Sequence, residues 1–140
     1  MSTLTLELAR TIIDGILEQG RALQCAPLAV AVLDTGGHLK AFAREDGAGI
    51  MRPQIAMAKA WGSLGMGFGS RGLVGRSPEF LGALGAISEG RIMPSPGGVL
   101  IHDPDGTLLG AVGVTGDKGE RDEACAIAGV QGAGLVAETG

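Results

Sequence analysis

Apolar residues recur every three or four positions at the start of the chain, which predicts an amphipathic helix over residues 5–24. Thr5 suits the N-cap of this helix because its side-chain oxygen can accept from a free backbone N–H. The apolar run Leu28–Leu33 lacks polar alternation and predicts a strand covered on both faces. The turn residues 34–37 and the alternating segment His38–Arg44 follow, so this part of the chain predicts a β-hairpin.

Two further helices are predicted in the middle of the chain. One runs from Pro53 to about Met66, and a shorter one runs from Pro78 to about Ala86, because proline suits the first turn of a helix. Four glycines occupy residues 62–69, where close backbone packing is favoured over a regular helix.

A second hairpin is predicted near the C-terminus, with strands over residues 99–102 and 107–114 and a tight turn at residues 103–106. A last helix is predicted from Glu120 to about Ala137, since acidic residues in its first turn suit the helix dipole. Two hairpins separated by helices indicate an antiparallel sheet with helices laid against it, and disfavour a Rossmann arrangement.

Composition and charge exclude several classes of protein. The 140 residues predict a single domain over residues 1–140, with a net charge of −4 and only 3% aromatic residues. A nucleic-acid binder would show a basic stripe or an aromatic stacking platform, and no apolar run is long enough to cross a bilayer. No signal peptide is evident, so we expect a cytoplasmic protein in which Cys25 and Cys125 are reduced, buried thiols. No structural metal site is expected.

An ordered set of short motifs extends over nearly the whole chain. The longest is residues 29–48, and the others are Ala58–Ala60, Gly67–Arg71, Pro96–Ile101, Gly110–Gly116 and Asp122–Ala124. Together they resemble the GlcG/HbpS-like family, which includes the C-terminal domain of some corrinoid adenosyltransferases. The resemblance implies a profilin-like α/β sandwich (α+β) with a central antiparallel sheet of about five strands flanked by helices. It places the fifth strand near residues 90–92, and it implies a homo-oligomer, a tetramer or an octamer.

Some members of this family bind haem, so the resemblance implies haem as a candidate cofactor, the alternative being that no cofactor is bound. In haem-binding relatives a ligating histidine lies in or near the first helix, whereas this chain has no histidine before His38. His38 is therefore the candidate haem ligand, and its alternative role is that of a hydrogen-bonded turn residue. His102 lies beside the second hairpin turn and is expected to be solvated.

The glycines that flank the second hairpin suggest an anion-binding site. Pairing of the two strands would bring Gly97 and Gly98 close to Thr115 and Gly116, at the end opposite the turn. Free backbone N–H groups there could form a nest for a carboxylate or another anion. The alternative is that these glycines serve only turns and tight packing.

Four charged residues are further candidates for binding or catalysis. Lys59 could neutralise a ligand carboxylate, pair with an acidic residue or simply be solvated. Arg44 could clamp a carboxylate or pair with Asp46. Asp122 and Glu123 could stabilise a helix dipole, act in acid–base catalysis or lie at an oligomer interface.

Three functions remain open from the sequence. The first is an oligomeric small-ligand-binding protein that holds haem or another planar carboxylate-bearing molecule. The second is an enzyme acting on a small organic acid or carbonyl compound by hydrolysis or proton transfer, with Lys59 and Asp122 as catalytic groups. The third is a structural protein whose glycine-rich faces serve assembly only. In each case no nucleic acid or membrane is expected as a partner.

Overall fold

The computed structural model describes residues 3–140. Met1 and Ser2 lie outside the described residues; they begin the N-terminal segment in which no signal peptide was predicted. The strands are β1 (Ala29–Asp34), β2 (Leu39–Arg44), β3 (Gly98–His102), β4 (Leu108–Thr115) and β5 (Val136–Glu138). The helices are α1 (Leu6–Ala22), α2 (Arg52–Met66), α3 (Pro78–Ile87) and α4 (Gly119–Gly132), with a 3₁₀ helix at Ser70–Leu73. None of the helices in residues 3–140 is long and apolar enough to cross a membrane.

The five strands form one antiparallel sheet in the order β2-β1-β4-β3-β5, which confirms the predicted α+β fold. Alternate residues of β1 face opposite layers, as the two-residue period of a strand requires. Val30 and Val32 pack in the core shared with α1 and α4, whereas Leu33 packs on the side of α2. The sheet is therefore covered on both faces, as the unbroken apolar run of β1 predicted.

Two boundaries near the C-terminus differ from the prediction. The last helix ends at Gly132 rather than near Ala137, because Gly134 takes a left-handed conformation with φ of +80° and ends the helical turn. The released chain forms the short strand β5 against β3. The fifth strand was thus wrongly expected near residues 90–92, which form an irregular segment after α3.

Helix α2 lies unusually close to β4 because the strand presents a glycine at the contact. A Cβ atom on Gly113 would collide with the backbone carbonyl of Ala56 in α2. The helix is continuous to Met66 despite its glycines, where the sequence favoured an irregular backbone. This close approach sets the position of Lys59, one helical turn further along α2, beside the end of β4.

The two cysteines are free and buried, with their Sγ atoms 3.9 Å apart. Cys25 follows α1 and Cys125 lies in α4, so the thiols meet inside the core between these elements. Burial and the neighbouring Cys25 raise the pKa of the Cys125 thiol to about 12, which keeps it protonated and unreactive.

Candidate functional site

The second hairpin brings the predicted glycine segments together. Gly98 pairs with Gly113, and the amide of Val114 donates to the carbonyl of Gly97 at 2.9 Å. The amide of Gly98, however, donates to the Ser70 hydroxyl at 2.8 Å, so this amide has an acceptor inside the chain. A Cβ on Gly97 would lie 2.7 Å from the Lys59 ammonium, and therefore the lysine side chain fills the space that an anion would need.

Lys59 and Asp122 form a buried ion pair beside these glycines. The Lys59 Nζ lies 3.2 Å from Asp122 Oδ2 and donates to the carbonyl of Val114 at 2.9 Å. Asp122 Oδ1 accepts from the amide of Asp117 at 2.9 Å. Burial lowers the pKa of Lys59 and raises the pKa of Asp122, and the opposite charge of the partner offsets each shift only in part.

The remaining predicted ligand-binding residues at this end of the sheet are engaged in contacts within the chain. Thr115 is buried and its hydroxyl accepts from Arg52 at 2.8 Å. Gly116 is held against the backbone of Pro27, where a Cβ would collide with the carbonyl oxygen. The buried Glu123 carboxylate accepts two hydrogen bonds from the half-exposed Arg71 guanidinium. This last contact ties the start of α4 to the 3₁₀ helix that contains Arg71.

Arg44 ends β2 at this same end of the sheet, two strands from Thr115, because Ala29 of β1 pairs with both residues. Its guanidinium donates to the carbonyl of Ala48 at 2.7 Å rather than to Asp46. It lines a 450 Å³ hollow together with Arg21, whose guanidinium pairs with Glu45 at 2.9 Å. The Arg44 guanidinium therefore binds the loop that follows β2 and makes no hydrogen bond to Lys59 or Asp122.

His38 lies at the opposite end of the central strands, in the turn between β1 and β2. Asp34 at this turn pairs with Gly110 of β4, whereas the Lys59 contact lies at Val114. The Asp34 Oδ1 atom accepts from the backbone amide of His38 at 3.0 Å and from its ring Nδ1 at 3.1 Å. These hydrogen bonds lower the pKa of Asp34, and the bond from the His38 amide has the largest effect. Since a carboxylate only accepts, the Nδ1 atom carries the proton and the lone pair of Nε2 points away from Asp34.

The exposed His38 ring lines a hollow of about 470 Å³, which we call the His38 hollow. Its lining consists of Thr3, Leu4, Asp34, Thr35, Gly36, His38, Lys40, Leu108 and Leu109. The volume lies within the range of about 300–1,000 Å³ that is usual for small-molecule sites. His102, by contrast, uses both ring nitrogens, with Gly106 O 3.2 Å from Nδ1 and Glu138 Oε1 2.8 Å from Nε2.

A second hollow, which we call the Trp61 hollow, contains residues that the sequence did not single out. It measures about 300 Å³ and is lined by Leu33, Gly37, Leu39, Gln54, Met57, Ala58, Trp61, Glu89, Gly90 and Arg91. The Arg91 guanidinium carbon lies 3.9 Å from the centroid of the Trp61 ring. Arg91 lies 30 positions beyond Trp61 and outside any helix or strand, so no sequence periodicity connects the two residues. The one sequence signal for this hollow was that Trp61 is the only tryptophan in the chain.

The chain is similar in sequence and fold to known proteins. Residues 4–131 match the family of haem-degrading HbpS-like proteins. The structure of a PduOC–haem complex superposes with a TM-score of 0.87 at 21% identity, covering 99% of this chain and all of that one. The Klebsiella pneumoniae protein ORFY superposes with a TM-score of 0.83 at 24% identity, covering 95% and 92% of the two chains. A double mutant of Streptomyces reticuli HbpS superposes with a TM-score of 0.78 at 26% identity, covering 94% of this chain and 87% of that one. No curated protein sequence matches the chain.

Proposed function

Because the chain belongs to the HbpS-like family, we propose that it is a haem-binding protein in which His38 is the iron ligand. The fold is shared with a protein whose structure is that of a haem complex. Family and fold support haem as the ligand class, and the geometry at His38 supports this residue as the ligand.

The observation that carries the proposal is the hydrogen bond between His38 Nδ1 and Asp34 Oδ1. Histidines that ligate metals commonly donate their second ring N–H to a carboxylate, which fixes the tautomer and orients the ring. Within residues 3–140, His38 is the histidine whose Nε2 makes no hydrogen bond, because Nε2 of His102 contacts Glu138. Asp34 thus orients the His38 ring and leaves its Nε2 available to a metal.

The rest of the His38 hollow suits the two chemical characters of haem. The exposed Leu108 offers apolar surface to a porphyrin, with the buried Leu4 and Leu109 beneath it, while the Lys40 ammonium can pair with a propionate. Bound haem would supply a redox-active iron centre whose behaviour depends on its axial ligand and on access to solvent. The part of this chain is to hold the ring, orient His38 and neutralise the propionate.

We further propose that the protein acts as a homo-oligomer that associates through α3. This helix, Pro78–Ile87, is rich in apolar residues, yet none of its residues is buried in the isolated chain. Phe80 and Ile87 are exposed, and Val74 just before the helix is exposed as well. A second copy of the chain is the partner that would cover this surface, in keeping with the family resemblance.

The alternative function, an enzyme for a small organic acid or carbonyl compound, has weaker support. Its catalytic candidates, Lys59 and Asp122, are buried and bonded to each other. A substrate would have to displace one partner of that pair before it could reach either group. The contacts of both residues favour a structural role.

Titration with haemin, followed in the Soret region, tests the proposal. The wild-type protein should give a saturable change with one haem per chain, and H38A should lose most of the affinity. The matched control is H102Q, which removes the other histidine and should bind haemin like the wild type. D34N should weaken binding while leaving some, because it removes the carboxylate that orients the ring. Undiminished binding by H38A, or no saturable change in the wild type, would contradict His38 ligation.

A further inference from the structure

The Trp61 hollow is separate from the proposed haem site, since the two linings share no residue. Helix α2 forms one wall with Met57, Ala58 and Trp61, and the turn between β1 and β2 forms another with Gly37 and Leu39. The segment that follows α3 closes the third side. An apolar hollow with a few polar groups at its edge is the usual form of a site for a small organic molecule.

The chain is built so that the tryptophan can lie against the turn. Gly37 has a φ of +81°, and a Cβ on this residue would lie 2.9 Å from Trp61 Nε1. Any other residue at position 37 would therefore push the indole out of its place. The indole is the aromatic side chain of the lining, with the Arg91 guanidinium over its ring, and Met57 adds a polarisable thioether.

Arg91 is the cationic side chain of the lining, and part of its guanidinium is available. Its Nε donates to the carbonyl of Ser88 at 2.8 Å, while its Nη2 lies 3.5 Å from Glu89 Oε1. Glu89 is 83% exposed and Arg91 49% exposed in their side chains, so solvent screens this pair strongly. The Nη1 atom makes no hydrogen bond to any described residue. A carboxylate from outside can therefore compete for the guanidinium, which offers it a planar, two-point contact.

We propose that the Trp61 hollow binds a small aromatic monocarboxylate, with the ring against Trp61 and Met57 and the carboxylate on Arg91. An anion is favoured over a cation because the arginine is held over the indole, whereas the acidic Glu89 extends into solvent. The volume of about 300 Å³ lies at the lower end of the usual range, which suits a ligand with one ring system. This inference goes beyond haem binding, because it assigns a second site and a different ligand class.

The chain supplies its own reporter, because Trp61 is the only tryptophan and there is no tyrosine. Benzoate should cause a saturable change in tryptophan emission, and calorimetry should give the same affinity with one site per chain. Benzamide, which has the ring without the charge, and acetate, which has the charge without the ring, should each bind at least about tenfold more weakly. A linear, non-saturating quench by benzoate, or equal binding of benzamide, would overturn the proposal.

Two substitutions at the edge of the hollow should act in opposite directions. R91Q should reduce the affinity for benzoate to that for benzamide, and E89Q should increase it because the competing carboxylate is removed. R10Q is the matched control, since Arg10 lies exposed on α1 and lines neither hollow, and its benzoate affinity should equal that of the wild type. Thermal unfolding and far-UV circular dichroism establish that each variant is folded. Unchanged benzoate binding by folded R91Q, or weakened binding by folded E89Q, would contradict the assignment of Arg91.

Discussion

Lys59 of α2 and Asp122 of α4 form an ion pair that is almost completely enclosed, with side chains only 2% and 1% exposed. The pair joins two helices that lie on opposite faces of the sheet, at the point where β4 ends at Thr115. Enclosing two charges costs solvation free energy, which direct attraction and hydrogen bonds offset only in part. We therefore expect the pair to contribute little net stability, while it links α2, α4 and the end of β4.

Breaking this pair from one side should destabilise the fold strongly. D122N keeps the acceptor for the Asp117 amide but leaves the Lys59 ammonium buried without its counter-charge. K59M in turn leaves the Asp122 carboxylate buried without its counter-charge. Each single variant should lose about 3–5 kcal/mol of unfolding free energy, measured by urea denaturation.

The double variant shows whether Lys59 and Asp122 stabilise the fold as a pair or through independent contacts. K59M/D122N leaves no unpaired charge at this site, so it should lose clearly less than the two single losses combined. K118M removes an exposed lysine next to α4 and should change stability by no more than about 0.5 kcal/mol. Additive losses in the double variant would show that the two side chains do not depend on each other.

Stability should fall in acid because of Asp117. Its carboxylate accepts from the amides of Ala26 and Lys118 at 2.8 and 2.7 Å, and these hydrogen bonds lower its pKa below the ordinary 3.8. Folding thus favours the ionised form, so the stabilisation is complete above pH 3.8 and is lost as the pH falls through the folded-state pKa. D117N should be less stable than the wild type at neutral pH, and this difference should shrink in acid.

Urea midpoints at neutral pH and near pH 3 measure this effect. D105N is the charge-matched control, since Asp105 lies exposed in the turn between β3 and β4 and its side chain makes no hydrogen bond. Its stability should follow that of the wild type in parallel at both pH values. If the gap between D117N and the wild type is as wide in acid as at neutral pH, protonation of Asp117 does not cause the acid loss.

Two glycines in α4 should respond in opposite ways to alanine. Gly129 faces α1, and a Cβ there would lie 2.6 Å from the carbonyl of Ile12 and would collide with the side chain of Ile16. G129A should therefore destabilise the protein by about 1–3 kcal/mol through overpacking. Gly132 has nothing within 4 Å and no positive φ, so G132A should stabilise it by up to about 1 kcal/mol. Shifts of the same sign in thermal unfolding would contradict this account of helix packing.

The local elements of the fold could be predicted from the sequence because their signals are local. The hairpin turn at Asp34–Gly37 and the first helix with its Thr5 cap were found within one or two residues. Strand β5 was missed, although Gly134 two residues after α4 was a usable signal for a helix end. A strand of three residues that pairs with β3 has no pattern of its own.

The candidate sites could be predicted only in part, because they depend on contacts between distant residues. The convergence of Gly97 with the end of β4 followed from hairpin pairing. That Lys59 would fill the space beside Gly97 depends on how closely α2 approaches β4, which the sequence does not encode locally. The same holds for Trp61 and Arg91, which meet across the segment after α3.

Self-association should depend on α3. Ile87 is 79% exposed at the end of a helix that has no buried residue, so contact with a second copy would remove apolar surface from water. I87D should place an unpaired carboxylate in that contact and shift the protein toward smaller species in light scattering coupled to size-exclusion chromatography. L6E, which adds the same charge at an exposed leucine of α1, should keep the wild-type mass. A wild type that is monomeric at every concentration, or an I87D variant with the wild-type mass, would exclude α3 as the contact between copies.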